Sequence, residues 1–222
     1  SYDNVLFTEY VGRFKEAGPD GVIAIGRSNR MINNINRAMR RELYGDLDLP
    51  LQKNEILLVV TNNNAFPLTN GDFVIANRID YIEVQAGLHF QRIEIKTLLS
   101  DTTAELFISL DILYSTEINF TKHQQKSLMV DFNRRMKKKG IIANSADYKE
   151  EMKTDPYLNC LRAKYGYAVT CHKAQGGEWN DVYLFLEKSM YAMHHQELFR
   201  WWYTAGTRAK KDLHLANNWW IS

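Results

Sequence analysis

The hydrophobic period of this chain changes twice along its length, and that change limits the folds open to it. Gly21-Val22-Ile23-Ala24-Ile25-Gly26 is a continuous apolar run between glycines, the pattern of a strand buried on both faces of a parallel sheet. Ser28 is placed to cap a helix over Asn29 to Leu43, with Met31, Ile35, Ala38 and Met39 on one face and Asn and Arg on the other. Glu55 to Val60 reads as another buried strand, followed by the turn-rich Asn62-Asn63-Asn64 and Asn70-Gly71-Asp72. From Asp72 to about Ser115 the period becomes two. Ile93, Ile95 and Thr97 alternate with Arg92, Glu94 and Lys96; Leu106, Ile108, Leu110 and Ile112 alternate with Phe107, Ser109 and Asp111. Three or four antiparallel strands in so short a stretch predict a small barrel or curled sheet.

A long polar helix is predicted from Lys122 to Lys139, closed by Gly140 and ending in cations that suit the negative end of its dipole. After Pro156 the α/β pattern returns. Tyr167 to Thr170 and Asp181 to Leu186 read as strands, His195 to Ala205 as a helix, and Leu213 to Ala216 as a last strand. The chain is thus an α/β domain, formed by residues 1–55 and 156–222, split by a β-rich insertion that spans residues 56–155 and includes the basic helix.

Composition narrows the functional classes. A net charge of +2 over 222 residues announces no nucleic-acid binder, so any such contact must be local. No apolar run approaches a membrane span. The two cysteines, Cys160 and Cys171, lack CxxC spacing and fit a reducing cytoplasm. The chain begins with serine, as a processed product or an excised piece would.

The chemistry concentrates in two segments. Tyr165-Gly166-Tyr167-Ala168-Val169-Thr170-Cys171-His172-Lys173-Ala174-Gln175-Gly176-Gly177-Glu178-Trp179 is a strand that breaks into a polar turn. Gly176 and Gly177 let backbone approach a phosphate without a Cβ clash, exposed amides in such a turn make an anion-binding concavity, and Glu178 suits a ribose hydroxyl or a metal-bound water. Taken singly, His172, Gln175 and the paired glycines are equally well read as loop residues. The ordered string favours function. The second segment is Tyr203-Thr204-Ala205-Gly206-Thr207-Arg208-Ala209-Lys210. A guanidinium forks onto phosphate and stays charged, although Arg208 alone would pass for a surface residue in a basic turn.

Together these segments resemble the fifth and sixth motifs of superfamily 1 DNA helicases, most closely the RecD-like and TraA-like branch with its UvrD-like C-terminal domain. The resemblance implies an α/β, RecA-like (P-loop NTPase-type) parallel-sheet domain with an inserted SH3-like barrel, the second motor domain of an ATP-dependent DNA helicase moving 5′ to 3′. It implies that Gly176, Gly177, Glu178 and Arg208 contact ATP, with Arg208 as an arginine finger. Thr170, His172 and Lys173 would grip single-stranded DNA, and Gln175 would couple the two sides. Gly26-Arg27-Ser28-Asn29 resembles a strand end whose Arg27 and Asn29 face DNA; a plain helix cap with a solvated Arg27 is the alternative. Thr207 flanks the finger and would reach DNA, and Asn70-Gly71-Asp72 resembles the turn that introduces the insertion.

Departures matter too. Ala205-Gly206 stands where the family often has Leu before Thr-Arg, and Gly206 costs helix stability. No G-x-x-x-x-G-K-[ST] segment is present, and no apolar strand ends in the Asp-Glu pair that Mg²⁺ binding requires. ATP and Mg²⁺ would therefore be used by the longer protein, with an upstream RecA-like domain of the same polypeptide supplying the other wall of the site, and this chain alone would be inactive. Single-stranded DNA or a single-strand/duplex junction is the implied partner, and a bacterial or mobile-element protein in repair, recombination or conjugation the implied setting. The competing class is an ATPase-deficient module that binds single-stranded nucleic acid or another protein.

Three further features are weaker. The run Arg134 to Lys139 would track phosphates or simply solvate a helix end. Trp201-Trp202 and Trp219-Trp220 would stack on bases or anchor a core. His194-His195 does not converge on one metal from adjacent helix positions.

Overall fold

The computed structural model describes residues 3–45, 49–63, 65–98 and 102–216. It is mixed α/β, with one parallel and one antiparallel sheet, and divides into two units, 1–50 with 166–222 and the insertion 51–165. Both boundaries differ from those read in the sequence. The insertion begins at Leu51 rather than at residue 56, and the return to the α/β unit comes at Gly166 rather than after Pro156.

The first unit begins with α1 (Asn4–Ala17), capped by Asp3, whose side chain accepts from Leu6 N at 2.9 Å. Its Leu6, Phe7, Tyr10, Val11 and Phe14 are buried, the one-face spacing of an amphipathic helix. Next come β1 (Val22–Gly26) and α2 (Asn29–Tyr44), where Ser28 Oγ accepts from Met31 N at 3.1 Å as the cap reading expects. Beyond the insertion lie β7 (Ala168–Thr170), β8 (Trp179–Phe185), α6 (His195–Gly206) and β9 (Ala209–Leu215). The sheet order is β7-β1-β8-β9, parallel throughout. β9 begins four residues earlier than its apolar end suggested.

All five residues of β1 are buried. Tyr10 reaches across to donate to the Tyr167 carbonyl. The polar face assigned to α2 needs correction: Asn36 and Arg40 are buried. Asn36 clasps the edge strand β7, accepting from Ala168 N at 2.8 Å and donating to Ala168 O at 3.1 Å. Arg40 donates to the carbonyls of Leu49 and Pro50. Each supplies hydrogen bonds that a buried backbone needs, which hydropathy cannot distinguish from solvation.

The insertion carries β2 (Ile56–Val59), β3 (Phe73–Gln85), β4 (Leu88–Thr97), β5 (Thr103–Ser109) and β6 (Ala163–Tyr165) in an antiparallel sheet of order β5-β4-β3-β2-β6. Its two outer strands approach each other. Leu161, just before β6, bridges Ile108 of β5, donating to Phe107 O at 2.7 Å and accepting from Ser109 N at 3.0 Å. The sheet therefore curls around a core that includes Leu57, Val59, Val74, Ile93, Ile95, Leu106, Ile108 and Leu161. The alternation stops at Ser109, where Ser109 Oγ accepts from Ile112 N at 3.3 Å and starts the short helix α3 (Leu110–Tyr114). Two further helices follow: α4 (Lys122–Lys138), with a capping box between Thr121 and Gln124, and α5 (Ala146–Thr154).

Candidate functional site

A parallel sheet has two chemically distinct edges, and the candidate residues divide between them. At the carboxyl edge, Gly26 and Thr170 stand side by side in the β1/β7 register. The Cys171 amide donates to Gly26 O at 3.1 Å, and the Lys173 and Ala174 amides close a turn on Thr170 O at 2.9 and 3.0 Å. His172 is exposed; Lys173 is half-buried, and burial lowers its pKa. Arg27 and Asn29 leave the same edge on β1, so Arg27, Asn29, Thr170, His172 and Lys173 gather there. Asn29 is exposed, and Arg27 is held by Glu197 of α6 at 3.4 Å.

The turn from Cys171 to Glu178 then carries the chain back to the amino edge, where β8 begins. Gly176 turns it with φ of +89°, a conformation that favours glycine. At Gly177 the constraint is space: a Cβ there would lie 2.3 Å from the ring of Trp179. β9 begins beside β8, with Trp179 paired to Ala209, so Glu178 and Arg208 arrive together. The Trp179 amide donates to Arg208 O at 2.9 Å. The Arg208 guanidinium donates to Thr204 O at 3.1 Å, Gly177 O at 3.2 Å and Thr207 Oγ1 at 3.1 Å. These bonds use three of its five N–H groups, so the head is fixed while, among the described residues, two donors remain for a ligand. Lys210 lies 3.8 Å from Glu178, with both side chains more than half exposed.

The first segment therefore serves both sheet edges. Gly176, Gly177, Glu178, Thr207 and Arg208 group at the amino edge, and the DNA-side candidates at the carboxyl edge, a strand length of roughly 16 Å away. Gln175 lies between them on the exposed turn, and its side chain makes no hydrogen bond among the described residues.

The structure also presents residues that the sequence reading passed over. Glu187, two residues beyond β8, accepts from Ser28 Oγ at 2.7 Å, and its other oxygen is buried with no partner among the described residues. It lines a cleft of about 520 Å³ at the carboxyl edge with Asp3, Arg30, Asn34 and Lys188. A carboxylate just past a strand end was the available signal. On α6, Phe199 and Tyr203 are 70% and 75% exposed and share the helix face that leads to Thr207 and Arg208. Trp201 is buried as a core anchor, its ring 5.7 Å from that of Trp202. Trp219 and Trp220 lie outside the described residues. Cys171 is buried, and burial pushes its thiol up to about 11. Among the described residues no group of three His, Cys, Asp or Glu side chains is arranged to hold a metal ion.

Residues 165–216 match the family model described as the UvrD-like helicase C-terminal domain. That segment contains both candidate motifs. Among solved structures, the chain resembles Pif1 helicase from Bacteroides in complex with ADP-AlF3 and ssDNA at 13% identity and a TM-score of 0.47, covering 98% of this chain and 45% of that one. It resembles Pif1 helicase from Candida albicans at 10% identity and a TM-score of 0.44, covering 96% and 53%. The chain spans about half the length of these structures. No curated protein matches it.

Proposed function

We propose that this chain is the second RecA-like motor domain, with an inserted SH3-like barrel, of an ATP-dependent DNA helicase that moves 5′ to 3′. The observation that carries the reading is the mounting of Arg208. It stands at the amino edge of the sheet beside Gly177 and Glu178, fixed by three hydrogen bonds and with two N–H groups to spare. A guanidinium so held needs little reorganisation to meet charge developing on a transferred phosphoryl group.

Under this reading ATP with Mg²⁺ supplies the phosphoryl chemistry and is held chiefly by an upstream RecA-like domain. Arg208 completes the phosphate contacts, Gly176 and Gly177 offer backbone amides, and Glu178 accepts from the ribose or from metal-bound water. Phe199 and Tyr203, exposed on the helix that mounts Arg208, form the docking face for that domain. Thr170, His172, Lys173, Arg27 and Asn29 hold single-stranded DNA at the opposite edge, and Thr207 makes a second, separate DNA contact beside the finger at the amino edge. Gln175, on the turn between the edges, transmits domain closure on ATP to the strand. The curl of the insertion's sheet through Leu161 supports the barrel assignment. Two buried, unpaired cysteines fit the cytoplasm of a bacterium or the product of a mobile element. No helix among the described residues is long and apolar enough to cross a membrane.

The test is single-strand-stimulated ATPase of the natural gene product, with Arg208→Ala beside it. Stimulated turnover should fall by about 10³- to 10⁵-fold while DNA binding and the tryptophan emission of the fold persist. Equal turnover in the variant overturns the finger. No turnover in the natural product, with or without DNA, overturns the motor in favour of a binding module.

A further inference from the structure

The insertion's helix α4 is charged out of proportion to the rest of the chain. It holds six Lys and Arg residues against one carboxylate, Asp131, in a chain whose net charge is +2, so the remainder of the molecule is net negative. Its faces are also divided. Leu128, Asp131, Phe132 and Met136 are buried. On the other side His123, Lys126, Val130, Arg134 and Lys137 are all exposed, recurring about once per turn along roughly 20 Å of helix.

The partners of these cations distinguish them from others in the insertion. Arg78 is tied to Asp80, Glu94 and Glu105, Arg92 to Glu105, Lys139 to Glu151 and Lys153 to Glu150. Lys122, Lys126, Lys137 and Lys138 have no carboxylate within ion-pair distance among the described residues. A groove of about 380 Å³ runs beside the row, lined by Ala86 of the β3–β4 turn and by His123, Lys126, Ser127, Val130 and Arg134. The turn is held against the helix by Gln85, which donates to Asp131 at 2.5 Å. The groove is therefore built from fixed elements, lined by cations and by Val130, which is 59% exposed.

We propose that this face of α4 binds the phosphodiester backbone of a nucleic-acid strand, as a contact separate from the carboxyl edge of the parallel sheet. Arg134 is held by Asp131 at 2.5 Å, but a repeating polyanion neutralises the four lysines without a carboxylate partner in any register, and the exposed Val130 suits a sugar or base edge. A lipid surface fits less well, because the apolar face of α4 is already packed inside the unit and only Val130 remains to insert. The proposal does not depend on the chain working with an ATPase.

The test is fluorescence anisotropy of the 222-residue chain with a labelled oligothymidine and with a labelled duplex, across roughly 0.05 to 0.4 M salt. The triple variant Lys126→Gln, Lys137→Gln, Lys138→Gln alters only exposed side chains, and its circular dichroism should match the parent. With three phosphate contacts removed, the log–log salt slope for the single strand should shrink by about 2, and binding at about 0.1 M salt should weaken by about 100-fold. The probe that shows the larger loss identifies whether the strand is single or paired. Lys139→Gln, which removes a cation already held by Glu151, should change the slope far less.

Unchanged affinity and slope on both probes would overturn the proposal, as would an equal effect from Lys139→Gln. So would loss of all binding in Arg27→Ala/Lys173→Ala with none in the triple variant, an outcome that would leave the motor reading standing. Lysine-dependent binding to anionic vesicles but to neither oligonucleotide would also overturn it.

Discussion

Arg135 should be the single side chain on which the helical portion of the insertion most depends. Its Nε donates to Asp131 at 2.8 Å, its Nη1 donates to Asp155, and its guanidinium lies 5.1 Å from the Tyr157 ring and 5.6 Å from that of Phe132. The two carboxylates are only 3% and 2% exposed. Removing one partner of a buried ion pair costs about 3–5 kcal/mol, because the remaining charge is stranded. Two features reduce that figure here. Arg135 is 26% exposed and so partly screened, and Asp131 keeps Arg134 and Gln85, each at 2.5 Å. Asp155 keeps the Tyr157 and Leu158 amides on its other oxygen but loses its ion partner. Arg135→Leu also gives up the cation–π contacts with both rings, about 0.5–1 kcal/mol each. The sum is about 3 kcal/mol. With a urea m-value of about 1–3 kcal/mol/M, the midpoint should fall by about 1–3 M. All five tryptophans lie outside 51–165, so their fluorescence reports the other unit while circular dichroism follows both. The circular-dichroism change that belongs to the insertion should move and the tryptophan transition should not. Asp155→Asn in the Arg135→Leu background should recover at least about 1 kcal/mol, since it removes the stranded charge. A loss below about 1 kcal/mol, or additive effects in the double variant, would refute the reasoning.

Two other outcomes follow from the site and from Asp131. Gly177→Ala forces a methyl group to within 2.3 Å of the buried Trp179 ring, so it should cost about 1–3 kcal/mol and shift the tryptophan emission; an unchanged spectrum and melt would contradict the packing. Gly176→Ala meets open space but carries φ of +89°, so it should cost only the left-handed strain of about 1–2 kcal/mol. Burial acts to raise the Asp131 pKa, but hydrogen bonds from Gln85, Arg135 and Arg134 outweigh it and hold the carboxyl below its ordinary 3.8. On acidification the unfolded chain takes up this proton first, so the stabilisation is complete above about pH 4 and is lost as pH falls through the depressed folded value. The urea midpoint of the insertion should drop across that acid window, and Asp131→Asn should flatten the drop; an unaltered pH slope in that variant would remove Asp131 from the account.

Local signals were legible wherever one short-range force decides the outcome. The run Val22 to Ile25 is fully buried, Ser28 caps α2, and Gly140 ends the α4 region with φ of +75°. Features decided by a distant partner were not. Ile56 to Val59 is as apolar as β1, yet it pairs antiparallel with β3 and β6, because burial on both faces does not encode strand direction. Leu110 and Ile112 continue an alternation in sequence, but the Ser109 cap turns them into a helix. The helix α1 was readable from Asp3 and the spacing of Leu6, Tyr10 and Phe14, but it carries no site residue to draw notice.

The meeting of Arg208 with Gly177 and Glu178 follows from sheet pairing rather than from loop chemistry. Residues that precede two neighbouring parallel strands must come together at the amino edge, whatever their separation in sequence. Trp179 pairs with Ala209, which aligns Glu178 with Arg208. The next pair along the ladder is Asp181 with Asp212, so β9 advances three residues while β8 advances two. Such a bulge increases local twist and re-aims the side chains beside it. Farther along, Asp181 anchors the register: Arg13 Nε donates to it at 2.9 Å, and His214 of β9 lies 3.4 Å away, stacked on Tyr183 at 4.2 Å. A slip of one residue in β9 would carry Arg208 about 3.3 Å along the edge and turn it to the other face of the sheet. The geometry at Arg208 is thus set by interactions several residues inside the sheet, and substitutions at Asp181 or His214 would reach the finger through the register without touching it.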